Sequence, residues 1–116
     1  MTEDVIIGIV ETVTVHGNGE DREVLARIDT GASVSSIDTH LAAELRMGPI
    51  EEVKTIKSAN GKRVRPALTV RVTLAGKECE GVFTLADRNH MKYDVLIGRD
   101  ILEQGFLIDP CKKEDA

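Results

Sequence analysis

The stretch Ala26-Arg27-Ile28-Asp29-Thr30-Gly31-Ala32-Ser33 holds the first candidate for chemistry. An apolar, β-compatible run (Val24, Leu25, Ala26, Ile28) stops at one acid and then turns at Thr30-Gly31-Ala32. That order puts a carboxylate at the end of a strand, on a tight turn that a glycine permits. Position alone leaves two readings of Asp29 open. It could hold the turn by accepting backbone N–H bonds, or it could work as a general acid or base. A second stretch, roughly seventy residues later, has the same shape: the apolar run Val95-Leu96-Ile97 stops at Gly98-Arg99-Asp100, followed by Ile101-Leu102.

Other chemistries have little support. His16, His40 and His90 are scattered, no His-Glu-x-x-His occurs, and Cys79 and Cys111 lack ligand spacing, so no metal is expected. No Gly-x-x-x-x-Gly-Lys-Ser/Thr loop is present, so no nucleotide cofactor is expected and nucleotide binding would belong to a partner. Two cysteines make no disulfide framework. Cys79 lies between Glu78 and Glu80, acids that should raise its pKa and blunt it as a nucleophile.

The chain has 116 residues, enough for one domain (1–116) that buries somewhat more than ~60% of its unfolded surface. No apolar run approaches the ~20 residues of a membrane span, and Met1-Thr2-Glu3-Asp4 lacks the basic start of a signal peptide, so a cytoplasmic protein is expected. A net charge of −5 argues against non-specific nucleic-acid binding. The distribution says more. Residues 54–77 carry seven basic side chains (Lys54, Lys57, Lys62, Arg63, Arg65, Arg71, Lys77) and no acid, while the remainder, with eight basic and 20 acidic residues, stands at −12. Such a segment could protect sheet edges from aggregation or steer and pair an acidic ligand.

The elements that must position these groups are mostly strands. Val5, Ile7, Ile9, Val13 and Val15 share one parity and predict a long strand bent at Gly8. His16-Gly17-Asn18-Gly19-Glu20 is turn chemistry leading into Glu23–Ile28. Ser33–Ile37 reads as extended, and Asp38 caps a brief helix ending near Leu45. Asn60-Gly61 predicts a hairpin between Val53–Lys57 and Lys62–Arg65. Leu68, Val70, Val72 and Leu74 alternate with Thr69, Arg71 and Thr73, as in a strand with one wet face. Ala75-Gly76 turns into Lys77–Leu85, Val95–Ile97 reads as covered on both faces, Arg99–Gln104 as a short helix, and Phe106–Ile108 as a last strand before a frayed tail, Cys111–Ala116. The architecture predicted is a small closed or sandwiched β-barrel with two short helices, whose open edges a second protomer could cover.

Together, Asp29-Thr30-Gly31-Ala32 and Ile97-Gly98-Arg99-Asp100 resemble the retropepsin-like aspartic proteases, over about residues 22–108. Within that class the chain is similar to the ATP-dependent zinc protease family associated with ATP-grasp glutamate ligases. That similarity is carried by Arg27–Ala32, by Phe83-Thr84-Leu85-Ala86-Asp87-Arg88-Asn89-His90-Met91-Lys92-Tyr93-Asp94 running into Val95–Arg99, and by Phe106-Leu107-Ile108-Asp109. Ser33-Val34 and Asp94 depart from it, the branch carrying Lys-Thr and often Pro there.

The resemblance implies a closed retropepsin-like barrel with a substrate-covering flap at about 54–66, and it places Ser58, Ala59, Asn60, Gly61, Lys62 and Arg63 in that flap. It implies Asp29 as the catalytic group, with Thr30, Gly31 and Ala32 supporting its loop and Arg99 acting as a structural clamp. Metal-free peptide hydrolysis by this class needs two carboxyls sharing a proton, and the chain carries one Asp-Thr-Gly. The second must come from a homodimeric partner. For a family tied to glutamate-adding ligases, an acidic, glutamate-rich peptide or protein is the expected substrate, and an ATP-grasp ligase a candidate partner. The rival expectations are a non-catalytic dimeric peptide-binding module and a regulatory partner of such a ligase.

Overall fold

The structure, a computed structural model, describes residues 4–113, Ser58 by its backbone alone. The ends of the expected domain, including the last three residues of the expected frayed tail, lie outside the described residues. Nine strands and two short helices follow one another: β1 (Val5–Ile7), β2 (Val10–His16), β3 (Asp21–Ile28), β4 (Ser36–Asp38), α1 (Thr39–Glu44), β5 (Glu52–Ser58), β6 (Gly61–Leu74), β7 (Lys77–Ala86), β8 (Val95–Ile97), α2 (Arg99–Leu102) and β9 (Phe106–Ile108).

The main sheet runs β2-β3-β8-β4-β7-β6-β5, and a further β2–β6 pairing closes its first six strands into a ring that leaves β5 paired to β6 alone. The closed barrel expected from the sequence is therefore a ring of unequal strands. Three of its contacts, β3–β8, β4–β8 and β4–β7, are only two or three residues long, and they mix parallel with antiparallel pairing. Inside the ring, Val13, Val15, Ala26, Ile37, Val70, Val72, Leu74, Phe83, Val95 and Ile97 are buried. Leu41 and Leu45 of the α1 region and Ile101 and Leu102 of α2 join this core. Asp38 caps α1, accepting from the N–H groups of His40 and Leu41.

The expected long first strand is two strands in two sheets. β1 leaves the ring and pairs in parallel with β9, Ile6 opposite Leu107. The break falls at Gly8, whose N–H donates to Glu11 Oε2 (2.7 Å) and where a Cβ would stand 2.8 Å from the Lys112 carbonyl oxygen. Backbone from the C-terminal segment occupies the space a side chain would need. Lys112 also pairs with Glu11 (2.8 Å), so the chain is tied down as far as Lys112 rather than frayed from Cys111. Ile9, beyond the break, faces solvent although its parity matched the buried residues.

β6 joins two predicted strands into one of 14 residues. Its first half pairs with β5 and its second half with β7, the change falling at Ala67. Pro66 sits where only β5 lies alongside, an edge position that tolerates proline. The β5–β6 hairpin thus projects from the ring at the stretch expected to form the flap.

The two cysteines are free thiols, Cys79 buried and Cys111 exposed. Burial is the main cause that raises the Cys79 pKa; Lys77 opposes it, and Glu78, one of the two acids expected to raise it, adds less. In the native protein iodoacetamide should label Cys111 at the rate of an open thiol and Cys79 on the order of 100-fold more slowly. Peptide mapping of the alkylated protein checks this, and equal labelling would contradict the burial of β7.

Candidate active site

Asp29 follows directly on β3. Its N–H donates to the Ile97 carbonyl (2.9 Å), which extends the β3–β8 pairing by one residue. The chain then turns on the side chain: Oδ1 accepts from Gly31 N–H (2.9 Å), and Ala32 N–H donates to the Asp29 carbonyl (3.3 Å). The geometry meets the first reading, an acid that holds the turn. One carboxylate oxygen holds the turn, and Oδ2 accepts no hydrogen bond among the described residues. Asp29 is half-buried, and Thr30 and Gly31 are exposed.

The loop rests on the β8–α2 junction. Arg99 N–H donates to the Ala32 carbonyl (2.8 Å) and Arg99 Nη1 to the Thr30 carbonyl (2.8 Å). A Cβ at Gly98 would lie 2.8 Å from the Ala32 carbonyl oxygen and 2.9 Å from the Val34 carbonyl carbon, so only glycine lets the two segments touch. Asp100 secures the contact from behind. Its Oδ1 accepts from Ser35 N–H (3.1 Å), Ser35 Oγ–H (2.6 Å) and Ile101 N–H (2.9 Å), while Ser35 Oγ accepts from Gly98 N–H (2.9 Å). Sequence reasoning had Asp100 only as a member of the Gly98-Arg99-Asp100 stretch and did not single out Ser35. The bond joins residues 65 apart, a pairing without a local signal.

A cavity of about 570 Å³ separates Asp29 and Val34 on one side from Lys54, Thr55, Ile56 and Lys57 on the other. That is ample for a peptide side chain or two. The expected flap tip, Ala59 to Arg63, is exposed and does not line it; β5 does. The register sorts the flap by face, because directly paired residues point the same way. Lys54 pairs with Arg65 and Ile56 with Arg63, while Val53, Thr55 and Lys57 share the other face with Pro66, Val64 and Lys62. Lys54, Ile56 and Arg65 are half-shielded, whereas Val53 and Val64 are more than 60% exposed. The basic residues that line the cavity are Lys54 and Lys57; Arg63 and Arg65 share the Lys54 face by register, with Lys62 on the opposite one.

Arg88, outside the predicted site, stands nearby. Burial pushes its guanidinium below the usual arginine pKa and Arg65 adds to that, while Asp38, Asp94 and Asp29 oppose it. Asp38, His40 and Asp87 also bring ligand-type atoms within 4.8 Å of one another. The Asp38 carboxylate, however, already accepts from the N–H groups of His40, Leu41 and Arg88, whose partial positive charges oppose a cation. This cluster is accounted for as a helix cap.

A mostly β ring with two short helices, a projecting hairpin, and an Asp-Thr-Gly turn seated on a Gly-Arg-Asp segment defines the retropepsin-like class. The sequence model described as "Retropepsin-like aspartic endopeptidase RimB" matches residues 38–116, and the chain belongs to this RimB-like family. The matched region holds the flap, Arg88, Arg99 and Asp100 and begins after Asp29, which is tied to it through Ile97, Arg99 and Ser35. No curated protein matches the chain. Among solved structures, the Legionella pneumophila protein Lpg0085 (DUF785), of unknown function, is 21% identical, with 95% of this chain and 96% of that one covered at a TM-score of 0.68. At that identity the likeness is one of fold. No helix of the described residues is long and apolar enough to cross a membrane.

Proposed function

We propose that the protein is an aspartic endopeptidase whose active unit is a homodimer, with Asp29 of each copy forming one carboxylate dyad. The observation that carries this reading is the placement of Asp29 on the cleft floor beneath the flap, on a loop clamped by Arg99. Two carboxylates a few ångströms apart share one proton, because like charges resist joint ionisation. The ionised member takes a proton from water as it attacks the peptide carbonyl, while the protonated member donates to the carbonyl oxygen. Proton return to the amine then breaks the C–N bond. Thr30, exposed beside the dyad, would meet its twofold mate and fix both turns, and Gly31 would leave room for the water.

Pairing is favoured by the β1–β9 sheet, where the register partners Ile6 and Leu107 are each more than half exposed. Lys54 and Lys57 on the cavity wall, with Arg63 and Arg65 on the Lys54 face of the hairpin, favour an acidic, glutamate-rich peptide. A link to an ATP-grasp ligase rests on the sequence resemblance alone. The second reading, a dimeric module that grips acidic peptides without cutting them, is supported by the same flap.

The test combines solution mass with hydrolysis. Sedimentation near neutral pH should give twice the chain mass at micromolar or higher concentration, and specific activity on a glutamate-rich peptide should rise with the dimer fraction. A monomer at high concentration with peptide present, or a dimer that never cleaves, would exclude the peptidase.

A further inference from the structure

Four consecutive residues of β5, Lys54, Thr55, Ile56 and Lys57, line the cavity that holds Asp29. A strand alternates its faces, so a cavity lying against one face would meet only every second residue. Contact with all four means that the cavity runs along the edge of β5. That edge is open, because β5 pairs with β6 alone. Its outward N–H and C=O groups therefore point at the cleft. The facing wall offers backbone as well. Ser33 and Val34 line it, and their N–H and C=O groups make no hydrogen bond among the described residues. An extended segment laid between these two walls has main-chain partners on both sides.

The two ends of the β5 wall are lysines on opposite faces, Lys54 with Ile56 and Lys57 with Thr55. Lys54 stands beside Glu52 (3.0 Å), its neighbour two residues back on the same face. Lys57 is exposed and forms no ion pair among the described residues. The two positions are thus three residues, about 10 Å, apart along the strand, with a change of face between them. In a strand laid along β5, the residue opposite each lysine shares that lysine's face, whichever way the strand runs. The residues opposite Lys54 and Lys57 are then also three apart. Acids at i and i+3 put one carboxylate at each ammonium. Acids at i and i+2 fall on a single face, where only one of the two lysines stands.

We propose that Lys54 and Lys57 read the spacing of acidic side chains in the bound peptide, selecting two acids three residues apart over two acids two apart. This rests on the reading of the cleft as a peptide site. Net charge alone cannot produce such a preference, since peptides of equal charge are steered alike at long range. The selection comes from the alternation of the added strand, which decides whether the second carboxylate meets a second ammonium. Each such contact lies at a solvent-accessible wall and is charge-assisted, so its contribution is modest but directional.

The test measures binding in the Asp29→Asn protein, so cleavage plays no part. Fluorescence anisotropy compares two labelled peptides of equal composition, Ala-Leu-Glu-Ala-Ala-Glu-Leu-Ala and Ala-Leu-Glu-Ala-Glu-Ala-Leu-Ala. The first, with its acids three apart, should bind about fivefold tighter. Adding Lys57→Gln leaves one ammonium at the wall, so the two peptides should then bind equally, with the melting curve unchanged because Lys57 is exposed. Arg71→Gln removes the same charge from an exposed residue of β6 paired with Glu78 and should leave the ratio intact. The proposal is overturned if the two peptides bind equally to begin with, if the ratio survives Lys57→Gln, or if Arg71→Gln abolishes it. Equal binding leaves the peptide-site reading standing, whereas binding of neither peptide removes both. Should the preference appear while the Asp29 protein never cleaves, the peptidase reading falls and the spacing rule stands.

Discussion

Replacing Asp29 by Asn should lower hydrolysis of a glutamate-rich peptide by about 10²–10⁴-fold, the range in which general acid–base catalysis contributes. In the proposed dimer one substitution removes both carboxyls, so neither a base for water nor an acid for the carbonyl is left. The fold should not notice. An amide oxygen can still accept the Gly31 N–H, and the Asp29 N–H bond to Ile97 is a backbone contact. Solution mass and melting temperature should therefore match the parent, and peptide binding should persist. New amino termini released over time give the rate. Cleavage by Asp29→Asn at more than a tenth of the parental rate would remove Asp29 from the mechanism.

Asp100→Ala should destabilise the folded chain by about 3 kcal/mol and lower the melting temperature by roughly 10 °C. One oxygen of this side chain satisfies three donors, and two of them belong to Ser35, which has no solvent exposure. Truncation leaves a buried N–H and a buried hydroxyl without their acceptor, where water cannot replace it. Asp100→Asn keeps an acceptor in place and should cost about 1 kcal/mol. That change is not neutral, because Oδ2 is a buried oxygen without a hydrogen bond, 3.3 Å from where a Cβ on Gly81 would stand. An amide nitrogen there would be a donor with no acceptor. Urea unfolding of the three proteins decides the point; an alanine variant within 1 kcal/mol of the parent would show that Asp100 does not secure the loop. Activity should fall with stability in this series, since Ser35 and Gly98 carry the segment on which the Asp29 turn rests.

Much of the fold was legible because its signals are local. Alternation marked Leu68 to Leu74, the Asn60-Gly61 pair marked the flap, and Asp38 marked the start of a helix. Each depends on neighbours within a few residues, where backbone geometry dictates periodicity and capping. The break at Gly8 was only half legible. A glycine in a strand signals a bend or a close approach, but that the approaching group is the Lys112 carbonyl depends on where the C-terminal segment lands. The expectation that Val95–Ile97 is covered on both faces failed at Leu96, which is only half-buried.

The chain alone determined that one carboxylate ends a strand at a glycine-permitted turn, that Gly98-Arg99-Asp100 follows a second strand, and that residues 54–77 carry seven cations and no acid. Those facts reside in residue type and order, and folding cannot change them. Only the tertiary structure decided which cations line the cleft, that β5 rather than the flap tip lines it, that Asp100 reaches Ser35, and that Arg88 is buried with no ion pair among the described residues. The reason is physical. A strand alternates its faces at every residue, so which parity meets Asp29 is fixed only by the register of β5, β6 and β7. Burial and charge pairing likewise arise between segments far apart in sequence, and they have no value until the ring closes.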